Sequence, residues 1–164
     1  MRRPALAAVL AALPGAALPG AALAETALSL TFDGTAHRFV PQMEGARTGF
    51  SRFASLEAVS IEGADGPARL VLELSLPPGA LAGDDPYAAR ISFRPDGWRD
   101  YWVSPPELSG AAVSVELLDL AGPAPRIAGR FAAPLCFTAS PMHPPDPARC
   151  RPAAGRFATP LVPD

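Results

Sequence analysis

The spacing of backbone breakers constrains this chain most. Asp33-Gly34, Asp65-Gly66-Pro67, Pro77-Pro78-Gly79, Pro95-Asp96-Gly97, Pro105-Pro106 and Gly122-Pro123 cut everything after residue 24 into short segments. None leaves room for an uninterrupted helical period, because proline lacks a backbone donor and glycine favours turns. Between the breakers the apolar residues alternate. Leu70, Leu72, Leu74 and Leu76 are separated by Val71, Glu73 and Ser75, and Tyr87, Ala89, Ile91 and Phe93 alternate with Ala88, Arg90, Ser92 and Arg94. Val113, Val115 and Leu117 repeat the pattern against Ser114 and Glu116. Period two belongs to a half-buried strand, whose successive side chains point to opposite faces. About nine such strands at this spacing predict an all-β domain, an antiparallel β-sandwich.

Residues 1–24 read differently. Arg2 and Arg3 precede an apolar run from Pro4 to Ala24, and Ala22-Leu23-Ala24 sets small residues ahead of Glu25 as a peptidase site requires. The expectation is a cleaved secretory signal peptide over 1–24, then a single domain over 25–164 that is periplasmic or secreted. Pro14-Gly15 and Pro19-Gly20 interrupt the apolar run, which argues against stable membrane insertion after cleavage. Export also makes the two cysteines, Cys136 and Cys150, an expected disulfide. Their spacing is not that of a redox Cys-x-x-Cys pair, so a structural staple is the expected role.

Composition removes several functions. A net charge of −2 with 18% charged residues is neither a nucleic-acid binder's nor a disordered chain's. All 14 basic residues are arginine, so lysine-dependent catalysis is excluded. There is no Gly-x-Ser-x-Gly elbow and no Ser-x-x-Lys, so a serine nucleophile has no support.

Two hairpins carry a register. Asp33-Gly34 between two strand-like runs suits a two-residue type I′ turn, which places Phe32 opposite Thr35, Leu30 opposite His37 and Leu28 opposite Phe39. His37 then lies on the apolar face. Ala128-Gly129-Arg130-Phe131-Ala132-Ala133-Pro134-Leu135 recurs as Ala154-Gly155-Arg156-Phe157-Ala158-Thr159-Pro160-Leu161. If the disulfide sets Cys136 opposite Cys150, each repeat's phenylalanine covers the other's glycine, Pro134 meets Pro152, and Arg130 faces Arg156. Like charges in direct opposition need an anion between them. Arg130 and Arg156 are therefore a candidate anion site, with Glu116 the alternative counter-charge inside the chain.

Three further groups are candidates for binding or chemistry. Trp98, Asp100 and Trp102 share one face of a strand and, turned outward, make a stacking platform with a hydrogen-bond acceptor for a sugar ring or an apolar partner. Met142, His143 and Asp146 bring a thioether, an imidazole and a carboxylate within five residues as candidate metal ligands, although no copper or calcium spacing is met. Asp84-Asp85, and Asp96 with Asp100 and Glu107, offer paired carboxylates; hydrolysis by the latter set requires a cleft holding two of them about 5 to 9.5 Å apart. The expected function is a non-catalytic, cofactor-free binding or interaction module of a bacterial-type cell envelope, with a protein partner. The alternatives are a glycan-binding module using Trp98 and Trp102, then a carboxylate-dependent hydrolase.

Overall fold

A computed structural model describes residues 26–97, 99–105 and 112–164; the expected signal segment lies outside them. The strands are β1 (Ala27–Phe32), β2 (Thr35–Pro41), β3 (Gly49–Arg52), β4 (Glu57–Asp65), β5 (Ala68–Leu76), β6 (Ala88–Arg94), β7 (Tyr101–Val103), β8 (Val113–Asp119), β9 (Arg126–Thr138), β10 (Cys150–Pro160) and β11 (Val162–Pro163). Among the described residues there is no α-helix, only a 3-10 turn at Glu44–Ala46. The all-β expectation holds, with eleven strands among the described residues rather than about nine.

The expected sandwich does not form. β1 pairs with β2, β2 with β4, β4 with β5, β5 with β6, β6 with β7, β7 with β9, β9 with β10, and β10 returns to β1, so eight strands close a barrel. Period-two alternation is common to both architectures, since each buries one strand face. Three inward-facing glycines mark where the chain curls. Leu28 and Phe39 press on Gly63, Phe157 covers Gly129, and Phe131 covers Gly155. An inner position without a side chain lets a strand coil tightly enough for closure.

Both hairpin registers match the sequence reading. Asp33 (φ 47°) and Gly34 (φ 82°) take the positive values of a type I′ turn, and Leu30 pairs with His37. In β9–β10, Cys150 pairs with Cys136, Phe157 with Gly129, Gly155 with Phe131, and Arg156 with Arg130. Besides β10, long β9 pairs with two further strands: β8 along Arg126 to Phe131, with a bulge at Glu116, and β7 along Cys136 to Thr138. β3 pairs with β4 on one side and, in parallel, with β11 on the other.

The barrel interior is closed by its own side chains. Leu30, Ile61, Leu70, Leu72, Leu74, Ile91, Phe93, Leu135 and Phe157 are all buried there. One strand-face expectation shifts: Tyr87 precedes β6 and is 64% exposed, so the inward series starts at Ala89. At one end Arg52 donates to the Leu120 carbonyl (2.7 Å) and reaches the buried Glu57 carboxylate (3.4 Å), tying β3 to the end of β8.

A Cβ at Gly155 would collide with the Ser29 carbonyl oxygen on β1 and with the Phe131 ring on β9. Gly155→Ala is expected to destabilise the barrel by about 1 to 3 kcal/mol, as overpacking of a tight interior does. Urea unfolding of the oxidised protein reads this directly, and an unchanged midpoint would refute the reciprocal packing.

Candidate functional site

Since the interior is filled, the surfaces offered to a ligand are the outer walls and ends. One end is capped by aromatic side chains. Phe32 lies 5.2 Å from Phe93 and 5.0 Å from Trp102, and Trp102 sets an edge against Phe137 at 5.6 Å. His37 is half-buried in the same cap, 5.0 Å from Phe93 and stacked near Phe39. Trp102, the partner of the fully buried Phe93, is therefore directed inward and not to an outer face. Trp98 lies outside the described residues, and Asp100 is half-buried just before β7.

Inward Trp102 fixes its neighbours. Alternation turns Tyr101 and Val103 to the outer wall, where Tyr101 pairs with Thr138 and Val103 with Cys136. Over this wall lies the loop between β9 and β10, stapled at its base by the Cys136–Cys150 disulfide. The loop is ordered from within. Thr138 Oγ1 donates to the Ser140 carbonyl (2.7 Å), Asp146 N donates to the Phe137 carbonyl (2.8 Å), and Asp146 Oδ1 accepts from Ala148 N (2.9 Å). Arg149 stacks on the Phe137 ring at 3.8 Å.

Between loop and wall is a cleft of about 560 Å³. Its floor carries Glu73 and Arg90, 4.0 Å apart, with Tyr101 and Thr138, and its roof carries Pro141, His143 and Pro145. Apolar rings, a phenol, an imidazole and an ion pair in one concavity suit recognition of a mixed polar and apolar group. Of the expected metal trio, His143 faces this cleft, Met142 is 89% exposed, and Asp146 serves as the loop's turn acceptor. No group of three His, Cys, Asp or Glu suited to a metal ion occurs among the described residues.

Arg130 and Arg156 do face each other, and Glu116 stands between them. Its carboxylate is 3.3 Å from Arg130 Nε and 3.8 Å from an Arg156 terminal nitrogen. The counter-charge that motivated an anion site there is thus present within the chain. Asp84 accepts from Leu81 N (2.8 Å) as a turn residue, Asp96 lies on the turn after β6, and Glu107 falls outside the described residues.

The sequence reading did not find the Glu73, Arg90, Tyr101 and Thr138 surface. Its signal was the strand alternation across Trp98 to Trp102, which sets Tyr101 opposite to Trp102 whichever face is inner. No protein family, curated protein or solved structure matches the chain.

Two measurements check this geometry. Replacing both cysteines by serine is expected to cost about 3 kcal/mol, the closure entropy of a loop this size, as read by thermal or urea unfolding. Glu116→Ala is expected to cost about 1 kcal/mol at low salt and less at high salt, with Arg130→Ala recovering most of the loss in the double variant. Additive single and double effects would show that Glu116 does not bridge the pair.

Proposed function

We propose that this chain is an exported, non-catalytic binding module of a bacterial-type cell envelope, contacting a protein partner through the outer wall of β5, β6 and β7 and the stapled loop above it. The observation that carries this reading is the cleft under that loop, whose roof is held by a disulfide and by its own hydrogen bonds. A surface ordered in advance loses little conformational entropy when a partner docks. Its rim has the composition of a contact surface. Met142 projects from the roof between Pro141 and His143, and exposed Tyr87 bonds through its backbone to Ser75 on the floor. Tyrosine and methionine are both favoured where surfaces meet partners. The disulfide and the signal-like residues 1–24 together support an oxidising, exported location.

The glycan alternative draws on an outward Trp98 and Trp102; Trp98 lies outside the described residues, and Trp102 is an inner-face residue of the aromatic cap. The cleft is the better supported surface.

A photo-reactive residue at position 142, in the full chain expressed in its own host, tests the proposal. The expected result is one discrete adduct that Tyr101→Ala removes and that the same probe at exposed Val40, on β2, does not give. No adduct, or the same adducts from both positions, would overturn it.

A further inference from the structure

The disulfide at the base of the loop stands between two depressions. On one side Cys136 pairs with Val103, which lines the larger cleft. On the other, an apolar groove of about 580 Å³ runs along the outer face of β9 and β10, walled by Ala132, Pro134, Pro152 and Ala154 with Thr31 beside them, and Cys150 lines it. The cross-strand pairs Ala132–Ala154, Pro134–Pro152 and Cys136–Cys150 follow one another on this face, so the groove leads to the disulfide.

The two cysteines are placed unequally. Cys136 is 1% exposed, whereas Cys150 is half-buried and borders the groove. Arg149 and Arg151, both exposed, flank Cys150. The nucleophile in thiol–disulfide exchange is a thiolate anion, which is drawn to a partly exposed sulfur with cations beside it. The loop also suits the reduced form. Cys150 Sγ lies 3.4 Å from the Pro147 carbonyl oxygen and 3.8 Å from that of Asp146. A disulfide sulfur has no proton to offer these acceptors, whereas a thiol S–H does. Breaking the bond leaves the barrel's register in place, since Phe131 over Gly155 and Phe157 over Gly129 hold it from inside.

We propose that Cys136–Cys150 is a thiol–disulfide exchange site, attacked at Cys150 Sγ by a dithiol reductant that approaches along the groove. The incoming thiolate bonds to Cys150 Sγ while the Sγ–Sγ bond breaks and its electron pair leaves on Cys136. The reductant's second thiol then displaces Cys150, so the reductant closes to a disulfide and two electrons and two protons pass to the cysteines. Reduction removes the covalent base of the roof. The ties to β9 that remain are short-range, among them Phe137 N to the Arg149 carbonyl (2.9 Å), Asp146 N to the Phe137 carbonyl (2.8 Å) and Arg149 on the Phe137 ring. Pro141, His143 and Pro145 are then less firmly held over the floor of the larger cleft. The exchange thus sets how ordered the binding surface is, and in that consequence it rests on the proposed partner surface.

The test treats the oxidised full chain with dithiothreitol, counts thiols by alkylation and mass, follows amide exchange by residue, and reads folding from the near-UV signal of the aromatic cap. Both cysteines are expected to become alkylated while the near-UV signal stays native. The amides of Asp146, Ala148 and Arg149 should exchange at least about tenfold faster, with those of Leu30 and Leu72 unchanged. Among single-cysteine variants, Cys136→Ser should form a mixed disulfide with glutathione disulfide at least about tenfold faster than Cys150→Ser. Arg151→Gln should slow reduction at low salt and have little effect at high salt. Alkylation only after the near-UV signal collapses, equal reactivity of the two single cysteines, or unchanged loop exchange in the reduced chain would overturn the proposal. The position-142 adduct separates the two readings. The variant carrying both Cys136→Ser and Cys150→Ser is expected to lose it, and persistence there would refute the link between exchange and binding. No adduct from the oxidised chain would refute the partner surface while leaving exchange at Cys150 standing.

Discussion

The reciprocal packing of Phe131 over Gly155 and Phe157 over Gly129 holds the β9–β10 register, and most of the molecule depends on that register. A slip of one residue would turn every inner side chain of one strand outward, Phe131 and Leu135 included. It would also separate Cys136 from Cys150 and Arg130 from Arg156. The two phenylalanines therefore decide, from inside the barrel, where the outer loop is stapled. Because β10 also pairs with β1 and β9 also pairs with β7, the same register sets where the ring closes on both sides.

Closure divides the chain chemically. A barrel this small is filled by side chains and has no lumen to offer. Its inner face is almost wholly aliphatic and aromatic, so polar groups are sorted to the outer wall, where their neighbours are set by strand pairing rather than by proximity in sequence. Glu73 meets Arg90 and Arg69 meets Arg94 for that reason alone. The β5–β6–β7 wall is thereby the place where charge, phenol, imidazole and a rigid loop converge.

Local structure was legible in the sequence where a turn or a covalent link fixed it. Asp33-Gly34 determined the first hairpin to the residue, and the cysteines with the Arg-Phe repeat determined the last one. The architecture was not legible. Alternation tells which face of a strand is buried and says nothing about whether the sheet folds over or closes, a choice made here by pairings such as Val40 with Ala64, between strands distant in sequence. The site was hidden for the same reason. Tyr101, Arg90, Glu73 and His143 come from four segments and show no common spacing, whereas the conspicuous tryptophan run drew attention to a face whose Trp102 is directed into the core.

The pairing of β1 with β10 has a kinetic side. Leu30 finds Gly155 across most of the chain, and joining ends so far apart costs closure entropy before any contact rewards it. The cysteines are separated by only 14 positions and can meet early. Oxidation can thus fix the β9–β10 hairpin while β1 and β2 are still a detached hairpin, leaving ring closure as a docking of two preformed ribbons. In an oxidising compartment the thiol chemistry would then precede the slow topological step and shorten the search for it, whereas in a reducing one the same chain would have to find its longest-range pairing with its late hairpin unpinned.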